Sequence, residues 1–265
     1  MKANTRLLFK TLLRQCKVDC ICDIGSCDGS DALKLRQLLP EATVLAFEAN
    51  PLLYKRMAAN PNLRESRIEV LPYAVSRAEG TALFHVTDTD YDDPNEPHTG
   101  TSSLLVHKGL TTKEAVEVKT CRLDEFILSR HPDVQRLGLW IDAEGAEYAV
   151  LEGIAGIQSR VMTLHVETAW TPMREGQKLY PEVECLLKSY GLIPLANNLS
   201  KGDVWGDVVF VNEKAAAALG VRLHLWRWII RGLAWSRLDL IPAVLMRRCR
   251  PLYRLLWSVY AKFPA

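Results

Sequence analysis

The stretch "CICDIGSCDGSDALKL", residues 20–35, decides the fold of this chain. An apolar run typical of a buried strand ends at Gly25, and leucines at helical spacing begin after Gly29. Strand, glycine turn and helix in this order commonly serve a bound cofactor. Three residues separate the two glycines, so the G-x-G-x-x-G spacing of dinucleotide-binding proteins is missing. The stretch therefore predicts an α/β fold and a cofactor other than a dinucleotide.

Strand-like and helix-like segments alternate along the rest of the chain. Strand-like runs lie at 43–49, 67–75, 137–142, 161–170, 192–198 and 207–212, helical runs at 30–39 and 50–60, and extended excursions at 81–87 and 115–123. Asn50 is an N-cap candidate for the second helical run, and Pro51 suits its first helical position. This alternation favours a parallel, doubly wound sheet, in which ligands bind beyond the carboxyl ends of the strands. The strand ends predicted to share that edge carry Asp23, Gly25, Glu48, Asp142 and Glu167.

Composition limits the class of protein and its compartment. The 265 residues are 48% hydrophobic, enough for the core of one domain, and the net charge of +2 gives no reason to expect a nucleic-acid partner. The seven cysteines form no C-x-x-C pair and indicate reduced thiols. The sequence has neither a secretory signal pattern nor a run of about 20 apolar residues. We therefore expect a cytoplasmic protein.

The strand-end carboxylates indicate the kind of cofactor. Carboxylates are unfavourable neighbours for phosphates and favourable ones for an amino group or a ribose diol. Glu48 at the end of the second strand can accept hydrogen bonds from both ribose hydroxyls, and Asp23 with the Gly25 backbone suits a cationic amino acid group. Amino acid and ribose together are parts of S-adenosylmethionine. An ordinary tight turn with a surface glutamate is the alternative interpretation.

Six motifs carry a resemblance to a known family. In order along the chain they are "DIGSCDG", "FEANP", "GTSSL", "CRLDEF", "IDAEGAEYAVLEGI" and "VETAW". The chain resembles the FkbM family of S-adenosylmethionine-dependent methyltransferases over about residues 18–212. The resemblance implies a class I methyltransferase fold, which is a Rossmann-like seven-stranded sheet, mostly parallel with the last strand antiparallel. It also implies O-methylation of a hydroxyl on a sugar or a natural product.

The resemblance also implies residue roles. Asp23, Gly25, Ser26 and Gly29 would line the methionine part of the cofactor and Glu48 the ribose, and Asp28, Ala49 and Ala74 complete the cofactor-binding candidates. Asp142, Glu144 and Glu147 would lie beside the transferred methyl group and the acceptor. The chain departs from the family pattern at Cys27, where Asn is common, and at Ala49-Asn50, which interrupts the usual Glu-Pro.

Methyl transfer to a hydroxyl mainly needs positioning and removal of one proton. Asp142 is the first candidate for the base, or for a ligand of Mg²⁺ or Mn²⁺. His165 and Glu167, two residues apart on one strand face, are a candidate base with its orienting partner. Packing of His165 in the core is the alternative, and a solvated helix start is the alternative for Glu144 and Glu147.

The acidic, turn-rich stretch 87–104 has two interpretations. It can form a lid over the cofactor, with Ser102 and Ser103 reaching the site, or it can be a solvated loop.

The C-terminal segment differs in charge from the rest of the chain. Residues 222–265 contain nine Lys/Arg, one acid and four of the seven Trp. Two amphipathic helices with Trp at the boundary are predicted here, as in segments that lie on an anionic membrane surface. Packing on the domain or at a subunit interface is the alternative. The predicted organisation is an N-terminal helix (1–17), a methyltransferase domain (18–213) and this basic helical tail (214–265).

The sequence thus favours a methyltransferase held at the inner membrane face, acting on a saccharide or glycolipid. A soluble enzyme for a small natural product and an inactive membrane scaffold of the same fold are the alternatives. The sequence makes no prediction of the oligomeric state.

Overall fold

The structure, a computed structural model, describes residues 4–87, 100–199 and 203–219. The helices are α1 (Thr5–Gln15), α2 (Ser30–Leu38), α3 (Pro51–Ala59), α4 (Pro61–Glu65), α5 (Leu123–Arg130), α6 (Glu147–Glu152), α7 (Tyr180–Ser189) and α8 (Glu213–Ala218). The strands are β1 (Cys20–Ile24), β2 (Thr43–Phe47), β3 (Ile68–Leu71), β4 (Ala74–Val75), β5 (Gly80–Thr87), β6 (Thr112–Cys121), β7 (Leu137–Ile141), β8 (Val161–Ala169), β9 (Leu192–Asn197) and β10 (Trp205–Asn212).

Seven of the strands form one sheet in the order β3-β2-β1-β7-β8-β10-β9. Neighbouring strands from β3 to β8 are parallel, and β10 is antiparallel to both β8 and β9. The predicted seven-stranded α/β sheet with an antiparallel last strand is therefore confirmed. The strand order reverses between β1 and β7, and a ligand cleft is expected at this switch point.

Two apolar cores cover the two faces of the sheet. One contains buried side chains of α5, α6 and α7, and the other contains side chains of α1, α2, α3, α4 and α8. All five residues of β1 and all five of β7 are buried, which is typical of a parallel sheet with helices on both faces. The central strands therefore hold the loops at their carboxyl ends in fixed positions.

The third predicted strand, 67–75, is interrupted in the structure. β3 ends at Leu71 and β4 begins at Ala74 in a different, three-stranded sheet of order β4-β6-β5. Pro72 stands at the break, and proline has no backbone N–H to continue the hydrogen bonds of a strand. The small sheet has its own core, which includes Ala74, Phe84 and Val118.

The predicted start of α3 is confirmed. Asn50 is its N-cap and accepts a hydrogen bond from the Leu52 N–H (3.0 Å), and Pro51 occupies the first turn. Within the described ranges, no helix is long and apolar enough to cross a membrane. The amphipathic tail predicted for 222–265 lies outside the described residues.

Candidate active site

The turn after β1 touches the loop after β7 without space for a side chain. Gly25 has a φ of +81°, and a Cβ there would lie 1.8 Å from the carbonyl oxygen of Asp142. The Asp142 N–H in turn donates to the Ile24 carbonyl oxygen (2.9 Å). Gly25 is therefore required both by its left-handed backbone and by this close approach.

Glu48 joins the end of β2 to the turn after β1. Its carboxylate accepts hydrogen bonds from the backbone N–H of Cys27 and of Asn50, both 2.7 Å. The residue is buried, so these donors hold its carboxylate in one orientation. Each carboxylate oxygen can accept two hydrogen bonds, so the arrangement is compatible with ribose hydroxyls as further donors.

A cleft with about 560 Å³ of space, open solvent included, lies between these loops and the small sheet. Its polar wall includes Glu48 and Asp142. Its other lining residues are mostly apolar or glycine, namely Ile24, Gly25, Phe47, Ala49, Leu53, Tyr73, Ala74, Val75, Phe84, Gly100, Leu104, Ala143 and Ala146. An apolar wall for a base and an anchored glutamate for a ribose fit S-adenosylmethionine.

Four of the predicted cofactor residues support the turn rather than line this cleft. Asp23 is buried and accepts a hydrogen bond from the Ser26 hydroxyl (2.6 Å), and burial raises its pKa to about 7. Asp28 is exposed and accepts from the Ser30 N–H (2.9 Å) at the start of α2. Gly29 is the N-cap of that helix.

Three acidic side chains meet at the edge formed by the carboxyl ends of the strands: Asp142 and Glu144 follow β7, and Glu167 lies near the end of β8. Carboxylate oxygens of Asp142, Glu144 and Glu167 all lie within 4.8 Å of one another. Burial, with the neighbouring charge of Glu144, raises the pKa of Asp142 to about 7. Burial, with the charges of Asp142 and Glu144, raises the pKa of Glu167 to about 10. We call this set the carboxylate group; the raised pKa values favour the protonated forms of Asp142 and Glu167.

Glu147 supports the loop that carries two of these acids. Its carboxylate accepts hydrogen bonds from the backbone N–H of Ala143 (3.1 Å) and Gly145 (2.8 Å). It is buried, and burial raises its pKa to about 7. Glu147 therefore fixes the 142–145 loop, and the contacts of this carboxylate are with its own loop.

His165 packs in the core behind the cleft. Its ring stacks on Trp140, with centroids 4.0 Å apart and an interplanar angle of 8°, and its Nε2 lies 3.3 Å from the Thr5 hydroxyl of α1. Burial, helped by the charge of Arg6, lowers the pKa of His165 to about 3, so the ring is neutral. The structure thus brings Glu167 to the carboxylate group and leaves His165 in the core on the same strand.

Ser102 of the 87–104 stretch lines the cleft. Its Oγ accepts a hydrogen bond from the Thr87 N–H (3.1 Å), which ties it to the end of β5. Ser103 is buried and accepts from the Leu105 N–H (3.0 Å). Residues 88–99, the centre of the predicted lid, lie outside the described residues.

Arg174, which lies between β8 and α7, belongs to none of the motifs found in the sequence. Its side chain is 2% exposed and forms an ion pair with Glu144. Only the fold brings these two residues together, since they are separated by all of α6 and β8 in the chain.

Comparison with known proteins identifies the family. The profile of the methyltransferase FkbM domain matches residues 23–193. The chain belongs to the FkbM methyltransferase family. It is 28% identical to the 2-O-methyltransferase NoeI of Sinorhizobium fredii over 199 residues, which cover 73% of this chain and 79% of that protein. It is 26% identical to the methyltransferase sdnD of Sordaria araneosa over 191 residues, covering 64% and 72%.

Among solved structures, similarity extends to an rRNA methylase from Streptococcus thermophilus. The TM-score is 0.43 and the identity 11%, and the match covers 80% of this chain and 98% of that one. The family assignment does not depend on this similarity.

As an FkbM methyltransferase, the chain uses S-adenosylmethionine, which when bound supplies a methyl group on a sulfonium to a nucleophile. Glu48 and the apolar wall would hold the nucleoside of this cofactor. Gly25 allows the close approach of the two loops at the switch point, and Asp142 lies at this approach. A carboxylate with a pKa near 7 can accept a proton at neutral pH, as a general base must.

Proposed function

We propose that this enzyme is an O-methyltransferase that methylates a hydroxyl of a saccharide or glycolipid at a membrane surface. Three findings support parts of this proposal: the carboxylate group beside the cleft, the relative named 2-O-methyltransferase, and the basic tail. The carboxylate group is the observation that carries the acceptor class.

The carboxylate group suits an acceptor with several hydroxyls. Carboxylates accept hydrogen bonds from hydroxyl donors, and Glu167, when protonated, can also donate one. The same group is unfavourable for a phosphate or another anion. An uncharged, hydroxyl-rich molecule such as a sugar satisfies these donors and acceptors best.

In this proposal Asp142 takes the proton from the acceptor hydroxyl. It lines the cleft, and its Oδ1 is buried without a hydrogen-bond partner among the described residues. Glu167, whose pKa of about 10 keeps it protonated, can orient the acceptor but cannot serve as the base at neutral pH.

A divalent cation is a second way to use the same carboxylates. Mg²⁺ and Mn²⁺ prefer oxygen ligands, and carboxylate oxygens of the three acids lie within 4.8 Å of one another. The Arg174 guanidinium beside Glu144 already supplies one positive charge to this group. If a cation is required, chelation abolishes turnover and Mg²⁺ or Mn²⁺ restores it. Full activity after exhaustive chelation excludes the cation and leaves Asp142 as the proposed base.

An acceptor screen tests the function. The full chain is incubated with S-adenosylmethionine carrying a labelled methyl group and a panel of methyl glycosides, uronic acids, sugar phosphates and small phenols. We expect label on neutral glycosides, in an ether linkage identified by mass spectrometry. Label only on phenols, or only on anionic sugars, contradicts the proposed acceptor class.

The membrane part of the proposal rests on the charge and Trp content of 222–265. Each Arg near an anionic surface contributes about 1 kcal/mol, and buried Trp and Leu add an apolar contribution that salt does not screen. We expect the full chain to float with anionic liposomes and to be released only partly by high salt. A chain truncated after residue 221 is the matched control and should stay unbound; equal flotation of both, or of neither, contradicts the proposal.

A further inference from the structure

Arg174 has the largest of the fully buried side chains in the part of the chain that the structure describes. It lies in the irregular segment between β8 and α7 and is only 2% exposed. Arginine keeps its positive charge at any ordinary pH, and burial of that charge is costly unless it is paired. The contacts of the guanidinium therefore indicate the role of Arg174.

The Arg174 side chain connects separate parts of the acceptor side. Its Nη2 donates to the Glu144 carboxylate and to the backbone carbonyl oxygen of Thr101 (3.2 Å). Its aliphatic stem lies against the loop after β7, because a Cβ added at Gly145 would be 2.7 Å from the Arg174 Cδ. Arg174 thus contacts the 142–145 loop and the 100–108 segment at once.

The backbone around Arg174 extends the same connection. The Lys108 N–H donates to the Met173 carbonyl oxygen and the Glu175 N–H to the Val106 carbonyl oxygen, both 2.9 Å. The 171–177 segment is therefore paired with 106–108, and Arg174 in the middle of this pairing points its charge at Glu144.

Glu144 needs such a support. Its φ of +52° is in the left-handed region, which side-chain-bearing residues adopt at a cost, and strain of this kind persists only where the surroundings impose it. Glu144 lines the cleft and belongs to the carboxylate group. Its position decides how the three acids are arranged.

Stability alone is a poor explanation for Arg174. Its Nε and Nη1 are buried and have no hydrogen-bond partner within the described ranges. Buried ion pairs with unsatisfied donors usually contribute little to global stability, and well-packed apolar residues often replace both partners at no cost to it.

We propose that Arg174 is the positioning residue of the acceptor side: it holds Glu144 against the cleft and fixes the 101–108 and 171–177 segments on the 142–145 loop. The acceptor hydroxyl is then presented to Asp142 in one orientation. This inference rests on the proposed function for its catalytic consequence and on the contacts above for its structural one.

Hydrogen exchange of the full chain tests the structural part without any acceptor. Arg174→Met keeps much of the aliphatic stem and removes the charge. We expect faster amide exchange in 101–108 and 171–177, with unchanged exchange in β1 and β2. Arg160→Met is the matched control, since Arg160 also donates to backbone carbonyls, those of Pro132 and Val134, but away from the cleft. Unchanged exchange in both segments of Arg174→Met overturns the proposal.

Kinetics with the glycosides of the acceptor screen test the catalytic part. For Arg174→Met we expect S-adenosylmethionine affinity to be retained while kcat/KM for the acceptor falls roughly tenfold or more, and for Arg174→Lys an intermediate value, because lysine keeps the charge but not the planar fork. Parent-like acceptor kinetics in Arg174→Met, or equal losses of cofactor and acceptor binding, overturn the positioning role. If the parent methylates no glycoside, the proposed function fails, and hydrogen exchange still decides the role of Arg174.

Discussion

At the scale of single residues, Asp142 combines a buried carboxylate oxygen with a place at the switch point. Its pKa is raised to about 7, so the ionised carboxylate, which is the form that can accept a proton, becomes populated as the pH rises through neutrality. We expect kcat to increase with pH about a midpoint near 7 and then to level off. Asp142→Asn keeps the shape and removes the base, so turnover should fall by roughly 10²-fold or more with cofactor affinity little changed.

Steady-state rates measured between pH 5 and 9 check this expectation. Glu147→Gln is the matched control, because Glu147 has a similarly raised pKa but holds the loop. If the midpoint near 7 survives in Asp142→Asn and disappears in Glu147→Gln, the base has been assigned to the wrong carboxylate.

Some of these residues could be predicted from the sequence and others could not, and both outcomes have physical reasons. The acids at strand ends were predictable because parallel strands bring their carboxyl ends to one edge. For His165 and Glu167, the alternation of side chains along a strand predicts a shared face of β8. It does not predict where along the strand the core ends and the cleft begins, and that boundary falls between these two residues. Arg174 had no local signal, since its partner Glu144 is brought near only by the crossover through α6 and β8.

At the scale of elements, the contact between the β1–α2 turn and the β7–α6 loop depends on one glycine. Gly25→Ala adds a methyl group 1.8 Å from the Asp142 carbonyl oxygen, so the two loops must separate. We expect loss of cofactor binding and a destabilisation of several kcal/mol.

Gly176→Ala provides the control for that change. Gly176 also has a left-handed φ, +71°, but no atom lies within 4 Å of an added Cβ. It should cost only the backbone strain, about 1 kcal/mol, and keep cofactor binding. Equal effects of the two substitutions in thermal unfolding and calorimetry would mean that the close approach at Gly25 is unimportant.

The elements themselves were largely predictable, and the exception is instructive. Continuous apolar runs identified the central strands, and the Asn50-Pro51 pair identified the start of α3. The run 67–75 looked like one strand because its apolar residues continue through Pro72, whose missing N–H ends β3 in the structure. Pairing of β4 with β6 in a second sheet depends on contacts 46 residues apart in the chain, which no local pattern reports.

At the scale of the whole molecule, the fold holds several acids in surroundings that favour their protonated forms. Asp142 is one of them, with a folded pKa raised above that of the unfolded chain. Its contribution to stability is therefore complete at low pH and is lost as the pH rises towards and through 7. Asp142→Asn removes this loss.

We expect Asp142→Asn to gain stability relative to the parent as the pH rises from 4.5 to 8. The free energy of unfolding of the variant minus that of the parent should increase by roughly 1–3 kcal/mol over this range. Comparison with the parent at each pH cancels the contributions of titrating groups that do not interact with Asp142. Denaturant unfolding of both proteins at pH 4.5 and pH 8 measures this stability difference. A stability difference that is the same at both pH values, or that favours the variant more at acid pH, contradicts the raised pKa of Asp142.

The central claim is that the cleft beyond β1, β2 and β7 binds S-adenosylmethionine through Glu48, and calorimetric titration of the full chain tests it most directly. The account predicts one site per chain, with Glu48→Ala weakening binding by roughly 1.5–3 kcal/mol while the folded spectrum is kept. Glu69→Ala, an exposed glutamate on neighbouring β3, is the control and should bind like the parent. Binding unaffected by Glu48→Ala, or no binding by the parent, would contradict the account.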